Sequence, residues 1–566
     1  METYHGKSIF NGIAIGKICK YEKEQQQVKR IRISDPEAEI NRFDHAREEA
    51  GAQLQSLYDK ALTQVGESGA MIFEIHRMML DDDDYLDSVY HIIRSQQVNA
   101  EFAVASTGDN FSRLFASMDD EYMQGRAADV KDISDRLIRI LMGQTDKHDI
   151  MEPVIIMAED LAPSETVQMD KDNLLAFVTT LGSSNSHTAI LARTMGIPAL
   201  VGIPVRDEWN GKTAIVDGHS GTLIIEPDDA LLAGMQAKKE EELRQKQLLA
   251  ELKGKETITK SGKKINLYAN IGNVSDVGAA LANDAGGIGL FRSEFLYLEA
   301  QDYPTEEEQF QAYKKAVETM DGRPVIIRTL DVGGDKEIPY LHMVKEDNPF
   351  MGFRAVRYCL ANPDQYKVQL RALLRASAFG DVKIMIPLVT CVEEVLAVKE
   401  LVEQCKAELT EEGRKFNENI EVGIMVETPA ASLLADRLAE VADFFSIGTN
   451  DLIGSTMCAD RGNDTISNLY QVYYPAVLRS LKNIIESGVK AGIMVGMCGE
   501  AAADPLLEPL LISWGLEEFS MSAPSILRAR KTISQWTKAE CDELAEKALA
   551  CNTAAEVKAL LESAAR

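Results

Sequence analysis

Residues 422–447 read VGIMVETPAASLLADRLAEVADFFSI, with an apolar run at each end and a helical spacing of apolar residues between them. The runs 422–426 and 443–447 predict strands of a parallel sheet, which are buried on both faces and therefore lack alternating polarity. The segment 430–440 predicts the helix that connects two such strands. Strand, helix and strand thus form one unit.

The same unit recurs from Lys264 onward. Further strands are predicted at 265–271, 287–291, 325–330, 383–389, 493–497 and 517–521, and further helices at 306–319, 392–408 and 475–489. Eight strands in about 300 residues match the strand number and the length of a (β/α)8 TIM barrel. We therefore expect an α/β multidomain chain that ends in such a barrel.

The preceding sequence predicts two other kinds of structure. Residues 34–145 carry apolar side chains three and four apart, which predicts a small helical bundle. Short apolar runs within 153–227 predict a compact α/β unit, to which residues 7–18 can add a strand, so that the bundle becomes an insertion. Residues 229–257, dense in Lys, Glu, Gln and Leu, predict an exposed helix that links two halves.

The composition excludes several classes of protein. The 566 residues are 45% hydrophobic and 26% charged, which is typical of a globular chain of two or three domains. A formal charge of −29 argues against nucleic acid binding, which requires clustered Lys and Arg. Neither a signal peptide nor a run long enough for membrane insertion is present. Eight cysteines without a CxxC pair predict neither zinc nor disulfides and favour a cytoplasmic location.

Charged and polar side chains follow several of the predicted barrel strands, at the face where TIM barrels carry their active sites. They are Arg292, Glu294, Arg328, Asp331, Glu427, Asn450, Asp451, Cys498 and Glu500. The alternative is that they are solvated loop charges without a function. Glu427 and Asp451, at the ends of adjacent strands, offer two carboxylates, which favours Mg²⁺ or Mn²⁺ over zinc.

Four arginines lie at or just after strand ends or in the long barrel loops, namely Arg292, Arg328, Arg354 and Arg461. Guanidinium groups match carboxylate and phosphate oxygens in bidentate geometry, although a surface salt bridge would explain any one of them alone. Four arginines together with two metal-binding carboxylates indicate a small substrate with several negative charges. Phosphoenolpyruvate is such a molecule.

One histidine follows a loop suited to phosphoryl groups. The segment GSSNSHT (182–188) places His187 in the first turn of a predicted helix, where free N–H groups and the helix dipole can hold phosphoryl oxygens. A neutral imidazole nitrogen is a competent nucleophile. An equally good alternative is that the hydroxyl of Ser184 or Ser186 caps the helix and that His187 only packs against neighbouring residues. No Walker loop, Rossmann fingerprint, GxSxG or HExxH motif occurs in the sequence.

Beside the Ser-His-Thr centre of 182–193, seven further segments serve as landmarks. They are RAADVKDI (126–133), GIGLFRSEFL (287–296), RTLDVGGDKE (328–337), NPFMGFRAVR (348–357), GTNDL (448–452), DRGND (460–464) and GMCGE (496–500). With these segments the whole chain resembles enzyme I of the bacterial phosphotransferase system, the family of phosphoenolpyruvate–protein phosphotransferases.

The resemblance implies a division into domains. Residues 1–25 and 147–228 would form a swivelling α/β phosphohistidine domain, and residues 30–146 an inserted helical domain that docks the phosphocarrier. Residues 229–260 would be a linker helix. Residues 261–566 would form the barrel, which binds phosphoenolpyruvate and dimerises.

The resemblance also implies a role for each candidate residue. His187 would be phosphorylated on Nε2, with the Thr166 hydroxyl nearby, and Cys498 would protonate the enolate carbon. Glu427 and Asp451 would bind Mg²⁺. Phosphoenolpyruvate would be held by Arg292, Arg328, Arg354, Asn450, Asp451 and Arg461.

The implied partner is the histidine-containing phosphocarrier protein HPr, and the implied assembly is a homodimer through the barrel. Asp81–Asp84, beside Ile72, Phe73, Met78, Met79 and Leu80, can present acidic and apolar contacts to HPr. The alternative is a solvated helix end with a buried apolar stripe.

Two other functions are open to the sequence. A relative of pyruvate phosphate dikinase or phosphoenolpyruvate synthase would share the mobile histidine and the barrel, but it requires an ATP domain for which no nucleotide loop is present. A non-catalytic protein on the same scaffold predicts lost metal or nucleophile residues, whereas every one of them is present.

Overall fold

The computed structural model describes the chain except for residues 22–27, 118–120, 145–151, 160, 162–164, 166–168, 170–172, 182–191, 193–195, 299, 334–337 and 344. The chain forms two compact units, Met1–Gln245 and Lys246–Arg566. Among the described residues, no helix combines the length and the apolar character needed to cross a lipid bilayer.

The helical bundle of the first unit consists of α1 (Pro36–Leu80), α2 (Asp83–Gln96), α3 (Ala100–Ala116) and α4 (Glu121–Leu141). Helix α1 begins at a proline, and the Asp35 carboxylate accepts hydrogen bonds from the N–H groups of Glu37 and Ala38. Asp82 caps α2 in the same way through the N–H of Tyr85. The predicted bundle is confirmed.

The α/β part of the first unit is an eight-stranded sheet with the strand order β1-β8-β7-β3-β4-β5-β6-β2. Its strands are β1 (Glu2–His5), β2 (Lys7–Phe10), β3 (Ile13–Lys20), β4 (Val154–Ala158), β5 (Leu174–Thr179), β6 (Ala199–Val201), β7 (Thr213–Asp217) and β8 (Thr222–Ile225). The predicted α/β unit is confirmed. The periodicity did not predict β1, whose residues are mostly exposed, or β6, which has only three residues.

The bundle is inserted between two neighbouring strands of this sheet. Strand β3 pairs in parallel with β4, with Lys17 opposite Val154, and the four helices lie between them in the chain. Bundle and sheet share one hydrophobic cluster, in which Phe43 and Phe73 of α1 join Ile156 and Phe177 of the sheet. The predicted insertion is therefore confirmed, while the boundaries of three separate domains stay a prediction.

Helix α5 (Asp229–Ala250) follows the sheet and has no buried residue along its length. The predicted exposed helix is confirmed. A helix that is polar on every side is stabilised by side-chain pairs along its own surface. One such pair joins Arg244 and Glu241.

The second unit contains a closed barrel of eight parallel strands. They are β9 (Asn266–Ile271), β10 (Ile288–Arg292), β11 (Val325–Arg328), β12 (Val382–Ile386), β13 (Glu421–Val426), β14 (Phe444–Ile447), β15 (Met494–Met497) and β16 (Glu518–Met521). All eight predicted strands and the (β/α)8 barrel are confirmed.

Helices alternate with these strands and extend beyond them. They are α6 (Asp276–Ala282), α7 (Glu294–Leu298), α8 (Glu306–Thr319), α9 (Val356–Ala361), α10 (Pro363–Ala376), α11 (Val392–Glu411), α12 (Pro429–Leu433), α13 (Ala435–Leu438), α14 (Thr449–Met457), α15 (Pro475–Ala491), α16 (Glu508–Trp514), α17 (Ile526–Ile533), α18 (Lys538–Ala550) and α19 (Ala554–Ala564). The single helix predicted over 430–440 is wrong. Leu434 leaves the helical region with a ψ of 14° and divides the segment into α12 and α13.

The barrel has two hydrophobic regions. A large cluster lies between the strands and the surrounding helices. A small cluster fills the interior and contains Leu290, Ile326, Met385, Met425, Phe444 and Cys498. Gly423 provides the room for the Phe444 ring, since a Cβ at Gly423 would overlap it.

Candidate active site

The carboxyl ends of the barrel strands bring the candidate residues to one face. Arg292 and Arg328 are the last residues of β10 and β11, and the sheet register places them directly beside each other. Glu427 follows β13, and Asn450 and Asp451 lie in the first turn of α14, directly after β14. Because β13 and β14 are paired in parallel, Glu427 and Asp451 project from neighbouring strand ends.

Arg328 is buried between acidic side chains. Its guanidinium pairs with Glu294, and its Nη1 lies 2.8 Å from Oδ2 of Asp331. Burial disfavours the charge of Arg328, but the carboxylates of Glu294, Asp331 and Glu427 outweigh it and raise the pKa of the guanidinium. Arg328 therefore carries a permanent positive charge inside the barrel mouth.

Arg354 connects two loops of the same face. Its Nη2 lies 2.8 Å from Oδ1 of Asp331 and 3.1 Å from Oδ2 of Asp451. Asp331 thus contacts both Arg328 and Arg354. The Phe350 ring lies 5.8 Å from the Arg354 guanidinium and 5.4 Å from that of Arg461, so one aromatic ring contacts two of the four predicted arginines.

Glu427 is the most deeply buried of the candidate metal ligands, with 2% of its surface exposed. Its Oε1 accepts a hydrogen bond of 2.6 Å from the N–H of Leu388, and a Cβ at Gly448 would overlap its Oε2. Burial, together with the negative charges of Asp451 and Asp331, raises the pKa of Glu427 to about 8. The surroundings of Glu427 therefore supply too little positive charge to stabilise an ionised carboxylate there.

The residues present fit a divalent cation of the magnesium type. A cation beside Glu427 and Asp451 would offset the mutual repulsion of the carboxylates. No group of three or more His, Cys, Asp or Glu side chains in the described part of the chain is arranged to hold a metal ion. Mg²⁺ needs only one or two carboxylates, because water and substrate oxygens complete its coordination.

Cys498 lies directly after β15, in the barrel interior, and is 3% exposed. Its Sγ lies 3.9 Å from the carbonyl oxygen of Ile447. Burial raises the pKa of the thiol to about 12, Glu427 adds to this rise, and Ser446 and Arg328 oppose it. At neutral pH Cys498 is therefore a protonated thiol, as a proton donor must be.

Two further predicted residues differ in how they are held. The Arg292 side chain is exposed and forms no hydrogen bond or ion pair with the described residues, so its guanidinium is available to a ligand. Asn450 is held through its backbone, since its carbonyl oxygen accepts a hydrogen bond of 2.9 Å from the Tyr470 hydroxyl. The assigned roles of all these residues stay predictions.

His187 and Thr166 lie outside the described residues. The acidic segment Asp81–Asp84 is exposed where α1 ends and α2 begins. Of the apolar residues beside it, Met78 is 68% exposed, whereas Ile72, Phe73 and Leu80 belong to the bundle core. Those three residues match the alternative of a buried stripe, and only Met78 among these four is available to a partner.

Three residues at this face received no role from the sequence. Glu294 and Asp331 neutralise Arg328, and Leu388 holds Glu427. Glu294 and Asp331 stand at predicted strand ends, and this position was the signal in the sequence that could have assigned them to the site. Leu388 gave no signal, because it contributes only its backbone N–H.

Three family models match the chain in consecutive segments. They are described as the N-terminal domain (residues 5–126), the mobile domain (150–221) and the PEP-binding domain (246–538) of PEP-utilising enzymes. The barrel, its buried arginines and these matches define the class of phosphoenolpyruvate-utilising enzymes.

Curated relatives narrow the class to one family. Phosphoenolpyruvate-protein phosphotransferases of Bacillus sp. (strain S) and Geobacillus stearothermophilus are each 45% identical over 560 residues, which is 98% of this chain and 97% of theirs. The relative of the same name from Bacillus subtilis (strain 168) is 44% identical over 565 residues, 99% of either chain. The chain belongs to the phosphoenolpyruvate-protein phosphotransferase family and is a transferase.

Proposed function

We propose that this enzyme transfers the phosphoryl group of phosphoenolpyruvate to its own His187, releases pyruvate, and passes the phosphoryl group to a histidine of HPr. The observation that supports this most strongly is the buried network of Arg328, Asp331, Arg354 and Asp451 at the barrel mouth. Paired charges fixed in a desolvated site are preorganised for a small anion and need no reorganisation during the reaction. The near-complete coverage of the relatives favours this function over a dikinase.

The arginines would neutralise the substrate. Arg328 and Arg354 are held by carboxylates, so their positions are fixed before phosphoenolpyruvate binds. Arg292 has no such partner among the described residues and would complete the binding of the phosphate or carboxylate. Arg461, beside the Phe350 ring, and Asn450 would contribute from the loop and helix that follow β14.

Glu427 and Asp451 would hold Mg²⁺, with Mn²⁺ as the substitute. When bound, the cation supplies positive charge to the phosphate oxygens of the substrate. The backbone of Leu388 and the glycine at position 448 orient the Glu427 carboxylate for this task.

The transfer needs one nucleophile and one acid. His187 would attack phosphorus in line with the leaving enolate oxygen. Cys498 would then give its thiol proton to the methylene carbon of the enolate, which yields pyruvate. Its buried position keeps the thiol protonated until the enolate forms.

The second half-reaction needs a docking surface. We propose that HPr binds the helical bundle, where the exposed carboxylates of Asp81–Asp84 offer attraction to a basic face. A homodimer through the barrel and a cytoplasmic location complete the proposal. All eight cysteines are unpaired, which agrees with a reducing compartment.

Labelling with phosphoenolpyruvate tests the function. Incubation with ³²P-phosphoenolpyruvate and Mg²⁺ should give an acid-labile, base-stable adduct that chases onto added HPr, as intact masses of both proteins will show. His187→Ala should give no adduct, whereas the control His219→Ala, a partly exposed histidine paired with Glu242, should label fully. Full labelling of His187→Ala would contradict the proposal.

A further inference from the structure

The backbone of Cys498 is held by hydrogen bonds on both sides. Its N–H donates at 3.1 Å to the carbonyl oxygen of Ile447, the last residue of β14. Its own carbonyl oxygen accepts a hydrogen bond of 2.9 Å from Nδ2 of Asn270, which belongs to β9. A cysteine side chain has a single torsion between heavy atoms, so a backbone fixed in this way also determines where the thiol can lie.

Asn270 reaches Cys498 across an intervening strand. In the closed barrel, β16 lies between β9 and β15, the strand that Cys498 follows. The backbones of β9 and β15 each pair with β16 and not with each other. A contact from β9 to the end of β15 therefore requires a side chain that crosses over β16, and the amide of Asn270 provides it.

Ser520 of β16 orients this amide. The Cys498 carbonyl can only accept a hydrogen bond, so the amide nitrogen of Asn270 faces it. The Ser520 hydroxyl then donates at 2.6 Å to Oδ1 of Asn270. Ser520 has no exposed surface, and a Cβ at Gly289 would overlap its hydroxyl oxygen, so the glycine leaves the room that Ser520 occupies. Residues of three consecutive strands, β10, β16 and β9, thus place one amide.

The amide of Asn270 cannot itself supply a proton, because it does not ionise near neutral pH. Its hydrogen bond acts instead on the residue that we propose as the proton donor. An enolate is planar and accepts a proton at its methylene carbon only from above or below that plane. Such a transfer requires the reacting atoms at about 3–3.5 Å and in line, and a misplacement of about 1 Å can cost about 100-fold in rate.

We propose that Asn270, oriented by Ser520, is a positioning residue that directs the Cys498 thiol at the methylene carbon of the enolate; this inference rests on the proposed function. The S–H bond of Cys498 breaks as the C–H bond of pyruvate forms, which leaves a thiolate. The thiolate takes a proton from solvent water after pyruvate leaves. The alternative is that Asn270 only satisfies the Cys498 carbonyl and stabilises the barrel.

Asn270→Leu in the full-length enzyme separates these two roles, because leucine has nearly the same size but cannot donate a hydrogen bond. Rapid-quench measurement of pyruvate over a range of phosphoenolpyruvate concentrations, with Mg²⁺, gives the maximal rate of the first turnover and the half-saturating concentration. We expect the maximal rate to fall about 10- to 100-fold and the half-saturating concentration to stay within about twofold of wild type. Transfer from the phosphorylated variant to HPr should keep its wild-type rate.

A double-mutant cycle with Cys498→Ala tests whether Asn270 acts through the thiol. Without the thiol, Asn270→Leu should slow pyruvate formation no further, so the two losses should not multiply. Ser520→Ala, which leaves the Asn270 amide in place but removes its anchor, should slow the first turnover about threefold and likewise only when Cys498 is present. This second variant keeps the test valid if Asn270→Leu does not fold.

Asn483→Leu is the matched control. The amide of Asn483, on α15, donates at 2.6 Å to the carbonyl of Ser432 in α12, outside the barrel interior. It should lower the melting temperature as Asn270→Leu does, but leave pyruvate formation unchanged. A wild-type first turnover in Asn270→Leu, a loss seen only in the half-saturating concentration, or losses that multiply with that of Cys498→Ala would overturn the inference. Absence of a ³²P adduct on the wild type would instead overturn the proposed function.

Discussion

The N–H of Leu388 donates a hydrogen bond of 2.6 Å to Oε1 of Glu427, from a residue whose φ is 56°. A non-glycine residue in this left-handed region costs about 1–3 kcal/mol, and such residues concentrate at functional sites. Leu388 is buried, so its packing holds the backbone in place. The loop after β12 thus fixes the carboxylate that we propose as a metal ligand.

Glu427→Gln tests this position. The amide keeps an oxygen for the Leu388 N–H and is neutral, as is the protonated carboxyl that a pKa of about 8 favours at pH 7 without a cation. We expect phosphorylation by phosphoenolpyruvate to fall about 100-fold or more, while the melting temperature without divalent cation stays equal or rises. Differential scanning fluorimetry with and without Mg²⁺ should show a smaller Mg²⁺-induced shift than in wild type.

Glu421→Gln removes one negative charge from the same strand at an exposed position paired with Lys383, and it should change neither the rate nor the Mg²⁺-induced shift. A marked loss of stability in Glu427→Gln without Mg²⁺ would contradict the repulsion described for this site.

Gln369 organises the end of β11 through its side-chain amide. Its Oε1 accepts a hydrogen bond of 2.9 Å from the Leu330 N–H, and its Nε2 donates at 2.9 Å to Oγ of Ser293. Ser293 in turn donates at 2.6 Å to the carbonyl of Arg328. Gln369 is therefore a positioning residue for Arg328.

Gln369→Leu leaves the buried Leu330 N–H without a partner. We expect a loss of about 1–3 kcal/mol in the free energy of barrel unfolding and a raised KM for phosphoenolpyruvate. Urea denaturation and initial rates measure the two effects. Gln365→Leu, at an exposed position one turn earlier on α10, serves as the control, and an equal rise in KM there would argue against a positioning role for Gln369.

Arg354→Lys tests the need for a planar group. A single ammonium cannot reproduce the geometry in which one guanidinium contacts both Asp331 and Asp451 beside the Phe350 ring. The value of kcat/KM for phosphoenolpyruvate should fall by about 10- to 100-fold. Arg357→Lys, whose guanidinium contacts only the carbonyls of Met351 and Gly352 among the described residues, should remain near wild type.

Cysteine reactivity tests the protonation of Cys498. With a pKa of about 12, only about one thiol in 10⁴ is ionised at pH 8, and the side chain is buried as well. Iodoacetamide should therefore modify the exposed Cys458 well before Cys498, as peptide mass spectrometry over time will show. Modification of both at the same rate would show that the thiol is not held protonated.

The acidic segment Asp81–Asp84 leads to a prediction that concerns only the transfer to HPr. Asp83→Asn with Asp84→Asn should slow transfer to HPr several-fold and weaken its dependence on salt, because exposed charges act mainly on association. Labelling by phosphoenolpyruvate should not change. The pair Glu240→Gln and Glu241→Gln on α5 removes the same charge elsewhere, and an equal effect there would indicate only the net charge of the chain.

The sequence predicted the barrel because parallel strands covered on both faces leave continuous apolar runs, as in 383–389 and 422–426. It also placed charged residues at the strand ends. It could not assign Glu294 and Asp331, because a carboxylate beside an arginine and one in solvent look identical in sequence. The left-handed backbone of Leu388 was equally invisible, because leucine rarely adopts a positive φ and the sequence carries no signal for it.

The insertion of the bundle between β3 and β4 has a consequence for biosynthesis. Lys20 ends β3, but its parallel neighbour begins only at Val154, so the ribosome must make more than 100 residues before that edge is covered. At a synthesis rate of about 5–20 residues per second, this edge of β3 stays unpaired for roughly 7–27 seconds. During that interval an apolar segment of the nascent chain lacks its parallel partner, and an unpaired apolar strand edge favours aggregation.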